Sequence, residues 1–495
     1  MKYLPTGEQM QKADRFTIDN IGIPSMVLME RAALMTVEVM EKENLDFRNI
    51  LVVCGSGNNG GDGYAIARLL YLKGHNVEVF FAGNEESRSK ENKRQKEICD
   101  FYKIPTVNRI EHKEYSIIVD AIFGTGLKRK ITGGYYSLIE CLNKMNGTKV
   151  AVDIPSGIHD TNGTVMGIAF RANLTVGIAY KKRGLVLSDG NIYSGKIQIV
   201  DIGITDIALP KDEYITYTYE MDDLLQEFPK RQTNSHKGTY GKTLMIVGSE
   251  GMSGAAYLSA KAAYLTGTGL VQIYTVEANR TILQRILPEA IITTYDTYNE
   301  EEHRKLLDWA DVVVLGCGLG TSEESQRLVY GTLRYGTCPC VVDADGLNII
   351  SEHIEWLLYA KQPLVLTPHM KEMTRLLKCS MEELSDNRLS KLIEFSQANA
   401  VVCVLKDART LVAKRNEDIY LNLSGNNAMA KAGAGDVLAG IIGAIIAQGC
   451  NPYKAACLGV YVHGLAGDMA KLEHGSYSVL ASDIIEAIDD VLKEI

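Results

Sequence analysis

Short runs of β-branched and aliphatic residues recur along the chain. Each is followed by a glycine-rich turn and then by a segment whose apolar positions repeat at helical spacing, which is the grammar of βα units around a mostly parallel sheet. In the first half the runs at 50–54, 77–82, 116–121, 149–154 and 174–179 predict strands, several apolar throughout, as strands covered on both faces should be. Ahead of them, residues 25–40 carry a helical pattern with Ser25 as the expected cap. The second half predicts strands at 243–247, 271–275, 312–315, 340–343, 364–366 and 401–405, and an apolar helix at 437–447. Between the halves, residues 201–242 lose strand periodicity and gather Pro210, Pro229, His236 and several charges, which places a domain boundary near 210–220. The expected class is therefore α/β twice over.

Composition narrows the classes without changing this picture. With 495 residues, 46% hydrophobic and 23% charged, a miniature scaffold, a disordered chain and a fibre are excluded. The 61 acidic residues outnumber the 52 basic ones, and a net charge of −9 repels a polyphosphate backbone, so no nucleic-acid partner is expected. Ten scattered cysteines form no C-x-x-C pair, which fits a reducing compartment. The first residues lack a signal-type apolar core, and 437–447 falls short of the roughly 18–20 residues of a membrane span, so the expected location is the cytoplasm, off the membrane.

Candidate chemistry lies at the strand ends. The strand at 50–54 runs into GSGNNGGDG at 55–63 and then a helical segment at 64–72. Glycines 55, 57, 60, 61 and 63 are expected to take positive φ and to aim backbone N–H groups at an anion, most naturally a phosphate. The Asn58-Asn59 pair and the embedded Asp62 set this loop apart from the common dinucleotide fingerprint. VDAIFGTG at 119–126, continuing to Lys128, Arg129 and Lys130, and VDIPSG at 152–157 each bring a carboxylate to the sheet's carboxyl edge. Asn59, Asp120 and Ser156 are expected to meet around a hard cation held through oxygen, with Asp153 facing substrate.

These three motifs, in this order, resemble the N-terminal YjeF domain of the NAD(P)H-hydrate epimerase family. The resemblance implies that Asn58, Asn59, Gly60, Gly61 and Asp62, then Gly124, Thr125, Gly126, Leu127, Lys128, Arg129 and Lys130, and Asp153 bind hydrated NAD(P)H. It further implies that Asn59, Asp120 and Ser156 bind potassium, and that the R and S forms of the hydrate interconvert. Such chemistry needs a proton-transfer group beside an anchored phosphate, and Asp153 is the candidate.

The second half carries GSEGMSGAA at 248–256, GCGLG at 316–320, DADG at 343–346, LTPHMKE at 366–372, LKDART at 405–410 and GNNAMAKAGAGD at 425–436. An N-cap role accounts for a lone Asp436. With Gly433 and Gly435 just before it, an anion hole beside a catalytic carboxylate is the better reading. Glycines and Asp before a long helix are similar to the ribokinase superfamily, and the full set of loops resembles the C-terminal YjeF domain, an NAD(P)H-hydrate dehydratase.

That resemblance places hydrated NAD(P)H near Ala255, Gly318, His369 and Asp436. It places the adenine nucleotide on Lys406, Asp407, Ala408, Arg409 and Thr410, and on Asn426, Asn427, Ala428, Met429, Ala430, Lys431, Ala432, Gly433, Ala434 and Gly435. ADP, with Mg2+ on its oxygens and no protein ligand to the metal, is the expected co-substrate, because fusion of the two halves resembles the bacterial arrangement.

The resulting expectation is an N-terminal Rossmann-like three-layer sandwich over 1–212 and a ribokinase-like α/β/α sandwich over 218–495. Its partners are hydrated NADH and NADPH and an adenine nucleotide, and the chain is expected to be a homo-oligomer. Two departures from the family pattern stand out: Lys371 where a glycine is usual, which suggests a reshaped loop, and Asp407 after the nucleotide-binding Lys406. Two other readings stay open at this point: a ribokinase-type kinase acting on a vitamin precursor, and a first domain that serves as a binding or scaffolding module.

Overall fold

The computed structural model describes residues 1–110, 114–210, 214–493 and 495. The chain divides into two compact units, one formed by Tyr3–Thr216 and the other by Tyr217–Ile495 together with Met1–Lys2. The end of the first domain expected at 212 lies outside the described residues. Among the described residues no helix is long and apolar enough to cross a membrane.

Strands are numbered along the chain. β1 (Lys2–Tyr3) precedes β2 (Ile50–Cys54), β3 (Val77–Phe81), β4 (Thr106–Val107), β5 (Ile117–Ala121), β6 (Thr148–Val152), β7 (Leu174–Ile178) and β8 (Lys196–Val200). β2 to β8 form one seven-stranded sheet in the order β4-β3-β2-β5-β6-β7-β8. Every pairing is parallel. β2 and β5 are buried at all five positions, which is why they read so clearly as apolar runs. The strand order reverses between β2 and β5, and at such a switch point the loops leaving the carboxyl ends splay apart and leave a crevice.

The second unit contains β9 (Thr216–Thr218), β10 (Lys242–Ile246), β11 (Leu270–Val276), β12 (Ile291–Tyr295), β13 (Val312–Leu315), β14 (Cys340–Val342), β15 (Leu364–Leu366), β16 (Val402–Leu405), β17 (Leu411–Ala413) and β18 (Ile419–Leu421). Its sheet runs β1-β9-β18-β17-β16-β15-β14-β13-β10-β11-β12. β10 to β16 pair in parallel, and β17 and β18 continue antiparallel. The reversal here lies between β10 and β13. The helix Ala434–Ala447 is almost wholly buried, and it lies so close to the helix Ser253–Thr266 that a Cβ at Gly440 would meet the Ser259 carbonyl oxygen at 2.1 Å.

Three local expectations need correction. Ser25 is the first residue of the helix Ser25–Lys42, not its cap, and its hydroxyl instead donates to Glu91 at 2.8 Å. The helix after β2 begins at Asn58, so Gly60, Gly61 and Gly63 are helical. None of glycines 55, 57, 60, 61 and 63 has a positive φ.

These glycines answer a packing requirement. A Cβ at Gly55 would fall 2.0 Å from the Ile122 carbonyl oxygen, one at Gly60 2.0 Å from the Gly55 carbonyl oxygen, and one at Gly63 2.6 Å from Ala121 Cβ. The helix is thereby pressed onto the ends of β2 and β5, with its amino end at the crevice. Gly55→Ala is expected to destabilise the first unit by about 1–3 kcal/mol, as overpacking of a tight site does, because the obstacle is rigid backbone. Calorimetry checks this as a lowered melting transition; an unshifted trace would contradict the packing role.

Candidate active sites

In the first unit the carboxyl ends of β2, β5 and β6 bring three motifs together. Asp120, at the fourth position of β5, is fully buried. Its carboxylate accepts from the Ser156 N–H (2.7 Å), the Ser156 hydroxyl (2.7 Å) and the Ile122 N–H (3.2 Å). Burial pushes its pKa up to about 6 against the pull of these donors. The Ser156 hydroxyl also accepts from the Phe123 N–H at 3.1 Å, tying the two strand-end loops together.

Asn59, in the first helical turn, spans the same place. Its amide donates to the Val152 carbonyl and accepts from the Gly124 N–H, both at 3.2 Å. Turned the other way, the amide would set its oxygen against the Val152 carbonyl oxygen, an arrangement that two oxygens adopt around a cation. Asp120 and Ser156 are bonded to each other and Asn59 reaches the adjoining strand-end loops at Val152 and Gly124, and such oxygen donors fit an alkali ion.

Asp153 follows β6 with φ of 69°, an uncommon backbone conformation for a side-chain-bearing residue and one that concentrates at functional sites. It is 8% exposed. Its carboxylate accepts from the Ile178 N–H at 3.2 Å and from the ammonium of Lys182, which also donates to the Ile178 carbonyl. Lys182 is 2% exposed, and nothing in the local sequence marked it, since it sits in an ordinary basic run after β7.

Asp62 lies in the same charged group. Burial, then the nearby charges of Asp153 and Asp14, push its carboxyl well up. Gly60 and Gly61 are buried below the helix surface and Asn58 is exposed at its start. Gly124, Thr125 and Gly126 make a 3-10 turn with φ of 59° at Gly124. Leu127 is buried beyond it, and Lys128, Arg129 and Lys130 project as an exposed basic run.

The second unit gathers its candidates at the carboxyl ends of β10, β13, β14, β15 and β16. Gly433, with φ of 91°, caps the helix Ala434–Ala447, so Asp436 is the third helical residue and not the cap. Its carboxyl is pushed up to about 6, first by burial and then by the charge of Asp343. The Cys317 thiol, Asp343 and Asp436 place ligand atoms within 4.8 Å of one another. Asp343 is 2% exposed, accepts from the Thr367 hydroxyl at 2.7 Å and receives the Lys406 ammonium. Burial alone would lower the Lys406 pKa; the carboxylates of Asp343 and Glu372 hold it up.

A Cβ at Gly435 would stand 3.3 Å from both the Asp343 carboxylate and the Lys406 ammonium, so glycine there keeps open the space between the helix start and those charges. That cradle fits a phosphoryl group. Gly318, with φ of 60°, approaches Ala255 so closely that its Cβ would lie 2.8 Å from that of Ala255.

His369 caps the helix Met370–Leu377. Its Nδ1 accepts from the Glu372 N–H at 3.1 Å, and the Glu372 carboxylate accepts from the His369 N–H at 2.8 Å. Lys371 lies inside that helix without a positive φ, so it carries no left-handed backbone strain there. Asp407 is engaged by the Arg388 guanidinium, Thr410 donates to the Asp407 carbonyl at 3.2 Å, and Arg409 donates to the Leu423 carbonyl at 3.0 Å. Ala408 completes that turn.

The loop at 425–435 is fixed from behind. Asn426 donates to Asp468 (2.7 Å) and the Gly467 carbonyl (2.9 Å), and accepts from the Ala428 N–H (2.9 Å). Asn427 receives Lys471 at 3.2 Å, Met429 closes the 3-10 turn Asn427–Met429, and Ala430, Lys431 and Ala432 lead to Gly433 and Ala434. His463 escaped the sequence reading. Burial lowers its pKa to about 4, Lys406 acts in the same direction, and its Nε2 has no partner among the described residues.

Comparison with known proteins matches both halves. Residues 25–184 match the family described as YjeF-related protein N-terminus, and residues 243–490 the family described as NAD(P)H-hydrate dehydratase. The bifunctional NAD(P)H-hydrate repair enzyme Nnr of Moorella thermoacetica is 35% identical over 100% of this chain and 97% of its own length. The chain belongs to the bifunctional NAD(P)H-hydrate repair enzyme family.

The member of that family from Escherichia coli is 32% identical over 98% of this chain and 93% of its own. A crystal structure of an ADP/ATP-dependent NAD(P)H-hydrate dehydratase from Bacillus subtilis, co-crystallized with ATP/Mg2+, superposes with a TM-score of 0.50 at 29% identity, covering 56% of this chain and 98% of that one. A ribokinase-like superfamily protein from Enterococcus faecalis gives 0.51 at 27% identity, with 56% and 96% covered. The α/β class and the ribokinase-like second half expected from the sequence are thereby established, and within this repair family the second half is a dehydratase domain, not a vitamin-precursor kinase.

Proposed function

We propose that the first unit epimerises the R and S hydrates of NADH and NADPH at Asp153, and that the second dehydrates the S form at the expense of ADP, giving AMP and phosphate. The observation that carries this is the pairing, in one chain, of a strained carboxylate beside an oxygen-rich cluster with a second carboxylate at a helix-start anion cradle.

In the second unit Asp436 takes the proton of the ring hydroxyl, whose oxygen attacks the β-phosphoryl group and releases AMP. Phosphate then leaves the ring carbon, a proton leaves the neighbouring carbon, and the dihydropyridine is restored. Hydroxide is a poor leaving group and phosphate a good one, so the phosphoryl transfer is what makes the elimination possible. The amino end of the helix Ala434–Ala447 and Lys406 stand where transferred charge accumulates.

Mg2+, carried on the nucleotide oxygens, would neutralise them. The protein donor set of a thiol and two carboxylates, one already holding Lys406, does not suit a hard dication held by side chains alone. Asp407, Arg409 and the 426–435 loop are assigned to the nucleotide, and Ala255, Gly318 and His369 to the hydrate. The ten free thiols support a reducing cytoplasmic setting.

Purified protein incubated with chemically hydrated NADH and either ADP or ATP tests the whole reading. Return of the reduced-nicotinamide spectrum with ADP is expected; none with either nucleotide would overturn it. Because Asp436 acts as a base with a pKa raised to about 6, the protonated fraction grows below that pH. The kcat/KM for the S hydrate should fall about tenfold per pH unit once pH drops under about 6. A flat acidic limb would remove Asp436 as the base.

Potassium is assigned to Asn59, Asp120 and Ser156. Epimerisation and thermal stability should rise with K+ over an equal concentration of tetramethylammonium, and Asp120→Asn should lose both responses. A response kept in that variant would place the ion elsewhere.

A further inference from the structure

The matched N-terminal family begins at residue 25, yet a helix from before that point packs against the loops of the candidate epimerase site. The helix Gly7–Phe16 is capped by Thr6, with Gln9 completing the reciprocal pair, and Gln9 also donates to the Tyr214 carbonyl at 3.1 Å. Its start lies against the site loops. A Cβ at Gly7 would collide with the Asp160 carboxylate and approach Thr125 Cβ at 3.1 Å. Just ahead of the helix, the Pro5 carbonyl accepts from the N–H of Arg183, the residue after Lys182, at 3.1 Å.

Gly7 and Asp14 are seven residues apart, two helical turns, and therefore share the face that Met10 buries. Asp14 is half-buried there and makes no hydrogen bond or ion pair among the described residues, while its charge is felt by both Lys182 and Asp153. An unpaired carboxyl beside a buried Lys–Asp pair does little for stability, and the fold holds it there with a capped, anchored helix.

We propose that Asp14 is the second proton-transferring carboxyl of the epimerase, working with Asp153 on the ring hydroxyl of the hydrate. This rests on the epimerase reading of the first unit. Inversion at the hydrated carbon runs in both directions, so the site must both give a proton to a departing hydroxyl and take one from an arriving water. Asp14 gives its proton to the hydroxyl, the carbon–oxygen bond breaks, and water leaves while the ring nitrogen's electron pair fills the vacated carbon. A solvent water adds to the other face of the ring and passes its proton to the Asp153 carboxylate. One water departs and one enters, so atoms and charge balance, and the reverse reaction swaps the two roles. Lys182 donates to the Asp153 carboxylate and leaves Asp14 without an ion-pair partner of its own. Burial raises the Asp14 pKa to about 6, against the pull of Lys182, which leaves a useful protonated fraction near neutrality.

The test measures conversion of purified R hydrate to S without nucleotide, on full-length protein, across pH. The wild type should lose kcat/KM as pH rises above about 6. Asp14→Asn should lower it at least about 30-fold and abolish that alkaline limb, while S-hydrate dehydration by the same chain stays unchanged. Asp14→Glu, which keeps the carboxyl, should restore the limb. An Asp14→Asn enzyme within threefold of wild type with its limb intact, or an equal loss in both variants, would overturn the proposal. If the wild type itself converts no R hydrate while still dehydrating the S form, the epimerase reading fails first, and the role of Asp14 with it.

Discussion

Replacing Asp436 with Ala should abolish ADP-dependent recovery of NADH from its S hydrate while R-to-S epimerisation continues. The loss should exceed about a thousandfold, because the substitution removes the base and the attacking hydroxyl then keeps its proton. The neighbourhood makes a substitute base improbable in physical terms. Asp343 is committed to Thr367 and Lys406, and burial pushes the Cys317 thiol well up, so it stays protonated. Recovery of the reduced-nicotinamide absorbance, followed with the purified S hydrate, measures the effect. Retention of more than a few per cent of the wild-type rate would remove Asp436 from the mechanism.

The reciprocal result is expected at the other site. With Asp153→Ala, a mixture of R and S hydrates should show a fast phase for the S half and then only the slow uncatalysed epimerisation of the rest. The dehydratase is untouched, so the amplitude of the fast phase, and not its rate, carries the information. The variant also leaves Lys182 as a buried ammonium without its carboxylate partner, so thermal stability should drop as well. A single fast phase of full amplitude would show that the epimerase chemistry lies elsewhere.

How much of this the sequence disclosed follows from burial and chain distance. The central strands β2, β5, β13 and β16 are buried on both faces and read directly as apolar runs. β4 has only two residues, and β8 and β12 sit at sheet edges with half-exposed residues, so their patterns dissolve into the surrounding polar chain. Among the sites, motifs contiguous in sequence were visible. Asp14, Lys182 and His463 were not, because their meaning comes from neighbours tens to hundreds of residues away. The glycines of 55–63 serve helix-to-sheet contact through their lack of side-chain bulk, and the positive-φ positions fall instead at Gly124 and at Asp153 itself.

The left-handed backbone at Asp153 restricts which replacements report on chemistry alone. Asn shares with Asp a tolerance for that region, whereas a β-branched residue would have to distort the turn joining β6 to the Ser156 loop. Asn is thus the probe that isolates the lost charge. Val or Ile at the same place would displace Ser156 as well, and so disturb its hydrogen bond to Asp120 together with the Asp153 carboxylate.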